Sequence, residues 1–351
     1  MNKEKRIGSG YLTGLLLASR LSNCLLLPAD GTVGLNVVDR LVAILLGGAL
    51  LFLLFVPTLY LLRGGRGTVI DVAYRKNKLL GRTVGVAYGL VCLFILCLDV
   101  VQFCDFAEKV MPDAVSVTAL AVALIVVAFA ASFYGIRTLS RTALPVAAFS
   151  VLTLLLIGAA LLPEMKLLHF PPLPFRPNGI LSAAVRELPR TAETVAVGLL
   201  YPYVERAHTR ATALFSLWTV LFTALVTVTA VGVLGDFAAQ TAYPYYTAAT
   251  AAHLGAFQRL DLLVTTVWLG TFFMRLSLFC ALFTDTAHRV CGRRARAISA
   301  GIGTVLLSLF AVAIRSVTAR AVVTAVYVGV LVVFCLVLPT LLLLVKRRKT
   351  V

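Results

Sequence analysis

The chain has 351 residues, 60% of them hydrophobic and only 13% charged, with 32 Lys and Arg set against 15 Asp and Glu. Soluble domains carry about 25% charged residues, so this composition excludes a soluble enzyme or a nucleic-acid-binding domain and defines a polytopic membrane protein. The formal net charge of +17 gathers at one set of loops, and a basic surface facing anionic lipid is the economical account of it.

Ten apolar stretches of about 20 residues, the length that crosses the hydrocarbon, read in order as 11–27, 37–62, 83–110, 115–134, 143–162, 179–203, 213–235, 260–286, 297–314 and 321–345. The N-terminal run Met1–Arg6 followed by apolar residues imitates a signal peptide, but Arg20 and Asn23 interrupt its apolar core. After the second span, Thr68–Arg82 is too polar to cross, and its Val and Leu residues among basic ones predict a short helix on the inner surface. The segment 163–178 holds five prolines and reads as an extended outer linker. It divides a first repeat, about 8–162, from a second, about 179–345, within one transmembrane domain. The outer loop 236–258 contains Tyr243-Pro244 and a short helical pattern beyond it.

Twenty-one of the 32 Lys and Arg fall in the two tails and in alternate loops, including Arg63–Arg82, Arg137 and Arg141, and Arg289–Arg296. The positive-inside rule places all of these, and both termini, in the cytoplasm.

Charges inside a span cost roughly 2.5–3.5 kcal/mol each at the centre of a helix, so the spans that keep them are informative. Span six carries Arg186, Glu187, Pro189, Arg190 and Glu193. Arg186, Arg190 and Glu193 share a helix face, and Pro189 frees a backbone carbonyl. The competing reading has the two arginines reaching the outer headgroups with Glu193 as their partner. Span one is cut by Arg20, Ser22 and Asn23. It reads either as an unwound stretch or as a straight helix with Asn23 bonded to a neighbour. Two interrupted spans at matching positions of two halves point to a five-plus-five inverted-repeat fold with a midplane site. Span eight aligns Asp261, Thr265, Trp268 and Arg275 on one face. Asp99 in span three has Arg20 or Arg275 as its partner; spacing does not choose between them.

The seven cysteines form no CxxC pair and the four histidines no metal spacing, which reads as packed thiols and no metal. Walker A, HExxH and nucleophile-elbow motifs are absent, so neither catalytic residues nor a cofactor are expected.

Residues 235–273, with Gly235, Tyr243-Pro244, Phe257, Arg259, Leu260-Asp261 and Trp268, resemble the B subunit of spore germinant receptors, the GerAB-type germination permeases. Looser matches are Leu27-Pro28, Gly81 and Gly85, Gly135-Ile136 with Arg141, and Glu193 with Leu199-Leu200 and Pro202. Where that family carries glycines in span one, this chain has Ser19-Arg20-Leu21-Ser22-Asn23-Cys24. The resemblance implies an all-α membrane protein of the amino acid–polyamine–organocation superfamily with the LeuT-like fold. It implies a place in the spore inner membrane beside an A-type and a lipoprotein C-type subunit, and a nutrient ligand, commonly an amino acid. Ser22, Asn23, Asp99, Arg190, Glu193 and Trp268 are the expected ligand-binding residues, with Arg20, Asp261 and Arg275 as gating or structural charges. The alternatives are an H⁺- or Na⁺-coupled amino acid permease and a membrane subunit whose site has decayed.

Overall fold

The computed structural model describes residues 7–26, 36–63, 67–110, 116–166, 169, 177–187, 191–205, 208–252, 260–292, 294–313, 327 and 329–347. Among these, helices account for nearly everything; the exception to note is a backbone bridge between Ile7 and Val204. Helices are α1 (Ser9–Leu25), α2 (Val37–Leu62), α3 (Val69–Tyr74), α4 (Lys78–Val110), α5 (Val117–Ser132), α6 (Ile136–Leu161) and α7 (Pro177–Glu187). There follow α8 (Glu193–Leu200), α9 (His208–Leu234), α10 (Pro244–Thr250), α11 (Asp261–Cys291), α12 (Ala295–Ala313) and α13 (Leu338–Arg347).

Five of the helical stretches are long and apolar enough to cross a bilayer unaided: Val37–Leu62, Lys78–Val110, Ile136–Glu164, His208–Ala239 and Asp261–Cys291. Val117–Ser132, Ala295–Ala311 and Gly329–Leu344 are shorter apolar helices. Large apolar side chains such as Leu45, Leu53, Leu152, Leu217 and Leu309 are exposed, while the largest fully buried side chains include Arg20 and Arg275. That inversion is what a lipid solvent produces. The outside is as apolar as the core, and charged groups gain only by turning inward to partners.

Helix ends follow local chemistry. The Asn36 side chain accepts from the Asp39 backbone N–H at 2.6 Å and starts α2. Thr68 and Asp71 form a reciprocal capping box at α3. Gly135, at φ 85°, and Gly292, at φ 92°, supply the left-handed backbone that opens α6 and closes α11. The expected surface helix over Thr68–Arg82 is therefore shorter, since α3 ends at Tyr74 and α4 already begins at Lys78. Arg137 and Arg141, read as loop residues, lie in the first turns of α6. In the 236–258 loop the short helix is α10, one turn earlier than its apolar pattern suggests, because Pro244 pre-sets the first helical position.

The two interrupted spans differ. Span six is broken: α7 ends at Glu187 and α8 starts at Glu193. A turn leads into the new start at the N-cap Ala192, the Thr191 carbonyl accepting from the Thr194 N–H at 3.1 Å and the Thr194 hydroxyl at 2.8 Å. In span one, by contrast, α1 runs unbroken through Ser19–Cys24. The expected interruption there gives way because this stretch has no glycine or proline, and the Ser22 hydroxyl donates to the Ser19 carbonyl at 2.8 Å within the helix. A π-helical turn over Val333–Val337 precedes α13. Pro339, lacking an N–H, cannot complete the i→i−4 ladder there.

α11 is the central helix, packed against α1, α4, α5, α6 and α12. Glycines set its register with α4: a Cβ on Gly85 would collide with Val290, and one on Gly81 would collide with the Tyr74 ring of α3. Near the C-terminal end of α11 Arg289 donates to Asp71 at 2.9 Å, to Asp285 at 2.9 Å and to the Tyr203 hydroxyl at 3.4 Å. Ile7 and Glu205 add the backbone bonds Ile7 N–H to Tyr203 O at 2.7 Å and Glu205 N–H to Ile7 O at 3.1 Å. The chain ahead of α1, the end of span six, α3 and α11 are thus tied together on one side.

Candidate functional site

The antiparallel pair α4 and α11 brings two deep charges together. Asp99 lies mid-way along α4 and Arg275 mid-way along α11, and the Arg275 Nε–H donates to Asp99 Oδ1 at 2.8 Å. Arg275, rather than Arg20, is therefore Asp99's partner. On the other flank of the guanidinium, Nη1–H donates to Glu193 Oε1 at 2.6 Å. The break in span six makes this meeting, because it places Glu193 in the first turn of α8, where a carboxylate also suits the helix dipole. α1 supplies the fourth member: the Ser19 hydroxyl donates to the same Glu193 oxygen at 2.6 Å and lies 3.5 Å from Arg275 Nη1.

All four side chains are sealed from solvent, with Glu193 and Ser19 at 0%, Arg275 at 2% and Asp99 at 3% exposure. Glu193 Oε2 and Asp99 Oδ2 are nonetheless without a hydrogen-bond partner among the described residues. Tyr327, buried and tilted at 60° to Phe94 with ring centroids 6.0 Å apart, lies within electrostatic reach of Arg275, Asp99 and Glu193. Behind α8, the Cys335 thiol of the π-helical turn donates to the Thr194 hydroxyl at 3.1 Å, so a second irregular backbone segment abuts the broken span. π-Turns of this kind recur at functional sites.

One helical turn beyond the charges on both helices the surface becomes aromatic. Phe103, four residues after Asp99, stacks on Phe272 with ring centroids 5.3 Å apart and on Trp268 at 5.6 Å. Phe106 approaches Trp268 to 4.2 Å. Trp268 is 2% exposed and its indole N–H has no acceptor among the described residues. Towards the far end α10 closes over the stack. Tyr243 and Tyr246 pack edge-on against Phe106 at 5.1 and 5.6 Å. The Tyr243 hydroxyl donates to Asp105 at 2.5 Å and that of Tyr246 to Asp261 at 3.5 Å.

Of the residues singled out from sequence, the structure gathers Asp99, Glu193 and Arg275 into one cluster and puts Trp268 on the adjoining wall. Asp261 sits at the start of α11, away from the charges and against α10. Arg20 and Asn23 are buried on α1, and Ser22 spends its hydroxyl on its own helix. Arg190 lies outside the described residues, as does the side chain of Arg186. Ser19, one of the polar residues that mark span one in the sequence, joins the site, and so do Phe103, Phe272 and Tyr327, which no sequence pattern had singled out. Phe103 and Phe272 are readable in principle as the apolar neighbours, four and three residues away, on the faces that carry Asp99 and Arg275.

A deep ionic cluster at a helix break, walled by aromatics and enclosed by apolar helices, is the arrangement of a transporter-like membrane protein. The fold agrees. A solved structure described as "Substrate-bound outward-open state of a Na+-coupled sialic acid symporter reveals a novel Na+-site" superposes with a TM-score of 0.61 over 95% of this chain and 80% of that one, at 11% identity. At that identity the likeness is one of fold, the LeuT fold. The spore germination protein family matches residues 36–319, and the chain belongs to that family of germination permeases. No curated protein matches the sequence significantly.

Proposed function

We propose that this protein is the nutrient-sensing membrane subunit of a spore germination receptor, and that its ligand, an amino acid or a close relative, binds beside the Asp99–Arg275–Glu193 cluster. The observation that supports this best is that α1, α4, α8 and α11 each contribute one side chain to a single buried network. Such a network changes as a unit when any of those helices moves. A ligand shifts a protein between arrangements only through its differential affinity for them, and α8, short and held at a break, is the element best able to supply that difference.

Sensing is favoured over ion-driven transport because Arg275 already takes one oxygen of each carboxylate by hydrogen bond, and the oxygens left over call for an N–H donor, which a bare Na⁺ does not offer. In this reading ten spans in two inverted repeats, about 8–162 and 179–345, cross the spore inner membrane with both termini in the cytoplasm. The signal leaves through A-type and lipoprotein C-type partner subunits. Purified protein in liposomes is then expected to bind its nutrient equally well in Na⁺ and in choline media and to show little concentrative uptake. Robust Na⁺- or H⁺-driven accumulation contradicts the sensor reading and establishes a coupled amino acid permease instead.

A further inference from the structure

Formal charge and shape at the cluster narrow the ligand further. This step rests on the cluster being the ligand site. The ion-paired residues Asp99, Glu193 and Arg275 together carry one formal negative charge, and all three are buried. Arg275 donates to one oxygen of each carboxylate, and the second oxygen of each, Asp99 Oδ2 and Glu193 Oε2, is buried without a donor. A buried carboxylate oxygen left in this way costs several times what a surface one does, and an added N–H donor bearing positive charge removes both the charge and the hydrogen-bond deficit. Arg20, the next residue of α1, is buried as well, and successive residues point about 100° apart around a helix.

One to two helical turns from Asp99 and Arg275, the Phe103–Trp268–Phe272 stack is an apolar surface, and aromatic faces attract an ammonium and pack a hydrocarbon body. The Trp268 indole N–H is a further buried donor without an acceptor, suited to a ligand oxygen such as a hydroxyl or a carbonyl.

We infer that the site recognises a primary ammonium group attached to an apolar body, and that a ligand carboxylate is dispensable. An amino acid is then read by its amine and side chain. A sodium or potassium ion carries the same charge but offers no N–H, and choline carries the charge on a nitrogen with no hydrogen, so both serve to separate charge from hydrogen bonding.

The test is a calorimetric binding panel on the full chain in lipid nanodiscs, with empty discs subtracted for partitioning into lipid. Its probes are leucine, phenylalanine, 3-methylbutylamine, 2-phenylethylamine, 4-methylpentanoate and 3-phenylpropionate, in choline chloride and again in NaCl. The two amines are expected to bind within about tenfold of the better amino acid, neither acid to bind, and NaCl to change nothing beyond twofold. Asp99→Asn and Glu193→Gln, each checked for unchanged monodispersity, are expected to weaken amine binding at least tenfold. Loss of binding whenever the carboxylate is removed, binding of the acids, competition by Na⁺, or amine binding indifferent to both variants overturns the ammonium inference. In the first three cases the site reading stands if an amino acid still binds, whereas indifference to both variants overturns the site reading as well. Failure of every probe overturns the inference and the ligand-site reading together.

Discussion

Arg275 carries the heaviest burden of any single residue. Two carboxylates from two other helices depend on its guanidinium, and none of the three has water to fall back on. Breaking a buried ion pair by removing one partner costs about 3–5 kcal/mol, because the other charge is left uncompensated. Arg275→Gln, which leaves two, is expected to lose at least that much in a denaturant titration of the micelle-embedded protein. Arg275→Lys keeps the charge but not the planar spread that reaches Asp99 through Nε and Glu193 through Nη1. It should fall between wild type and Arg275→Gln. Equal stability of all three proteins contradicts the network as drawn. Ser19 offers a milder probe. Ser19→Ala removes a hydrogen bond to a charged acceptor, worth about 1.5–3 kcal/mol, and its expected effect in the same titration is a smaller loss with the fold intact.

At the scale of elements, close helix contacts are set by glycine. Gly85→Leu forces α4 away from Val290 of α11, in the same interface that aligns Asp99 with Arg275. Overpacking of this kind typically costs about 1–3 kcal/mol, and here it also disturbs the register of the site. Gly301 of α12 has nothing within 4 Å of where its Cβ would stand. Gly301→Ala is therefore expected to be neutral or to stabilise by up to about 1 kcal/mol through helix propensity. Thermal unfolding of the two variants side by side checks the contrast, and equal destabilisation of both would show that the α4–α11 packing is misread. The break in span six is legible in the sequence, since Pro189 and a run of charges leave a helix little choice. The break expected in span one is absent from Ser19–Cys24. Polar residues alone do not unwind a helix when serines can bond to the preceding turn, and only proline or glycine removes the alternative. The partner of Asp99 is also beyond reach from sequence, because the register between α4 and α11 is fixed by Gly85 and Val290 in three dimensions and not by spacing along either helix.

For the whole molecule, the apolar pattern locates the described long helices because in lipid every backbone group must be satisfied within its own segment, although α4, α6 and α9 begin five to seven residues before the apolar stretches that predict them. The pattern says less about sides. In the orientation proposed above a reporter enzyme fused after Val351 is expected to read as internal, and an external reading contradicts that orientation. What the apolar pattern leaves open is function, since a fold of this kind serves both transporters and sensors. The residues that decide between them are few and buried. The most direct measurement is the nutrient dose–response of spores carrying Glu193→Gln, with membrane levels of the protein matched to wild type. The variant keeps the shape of the side chain and the acceptor for Ser19 and removes the charge that Arg275 and the ligand share. The account predicts a response shifted to at least tenfold higher nutrient concentration, and an unchanged dose–response at equal protein level would contradict it by making Glu193 structural only.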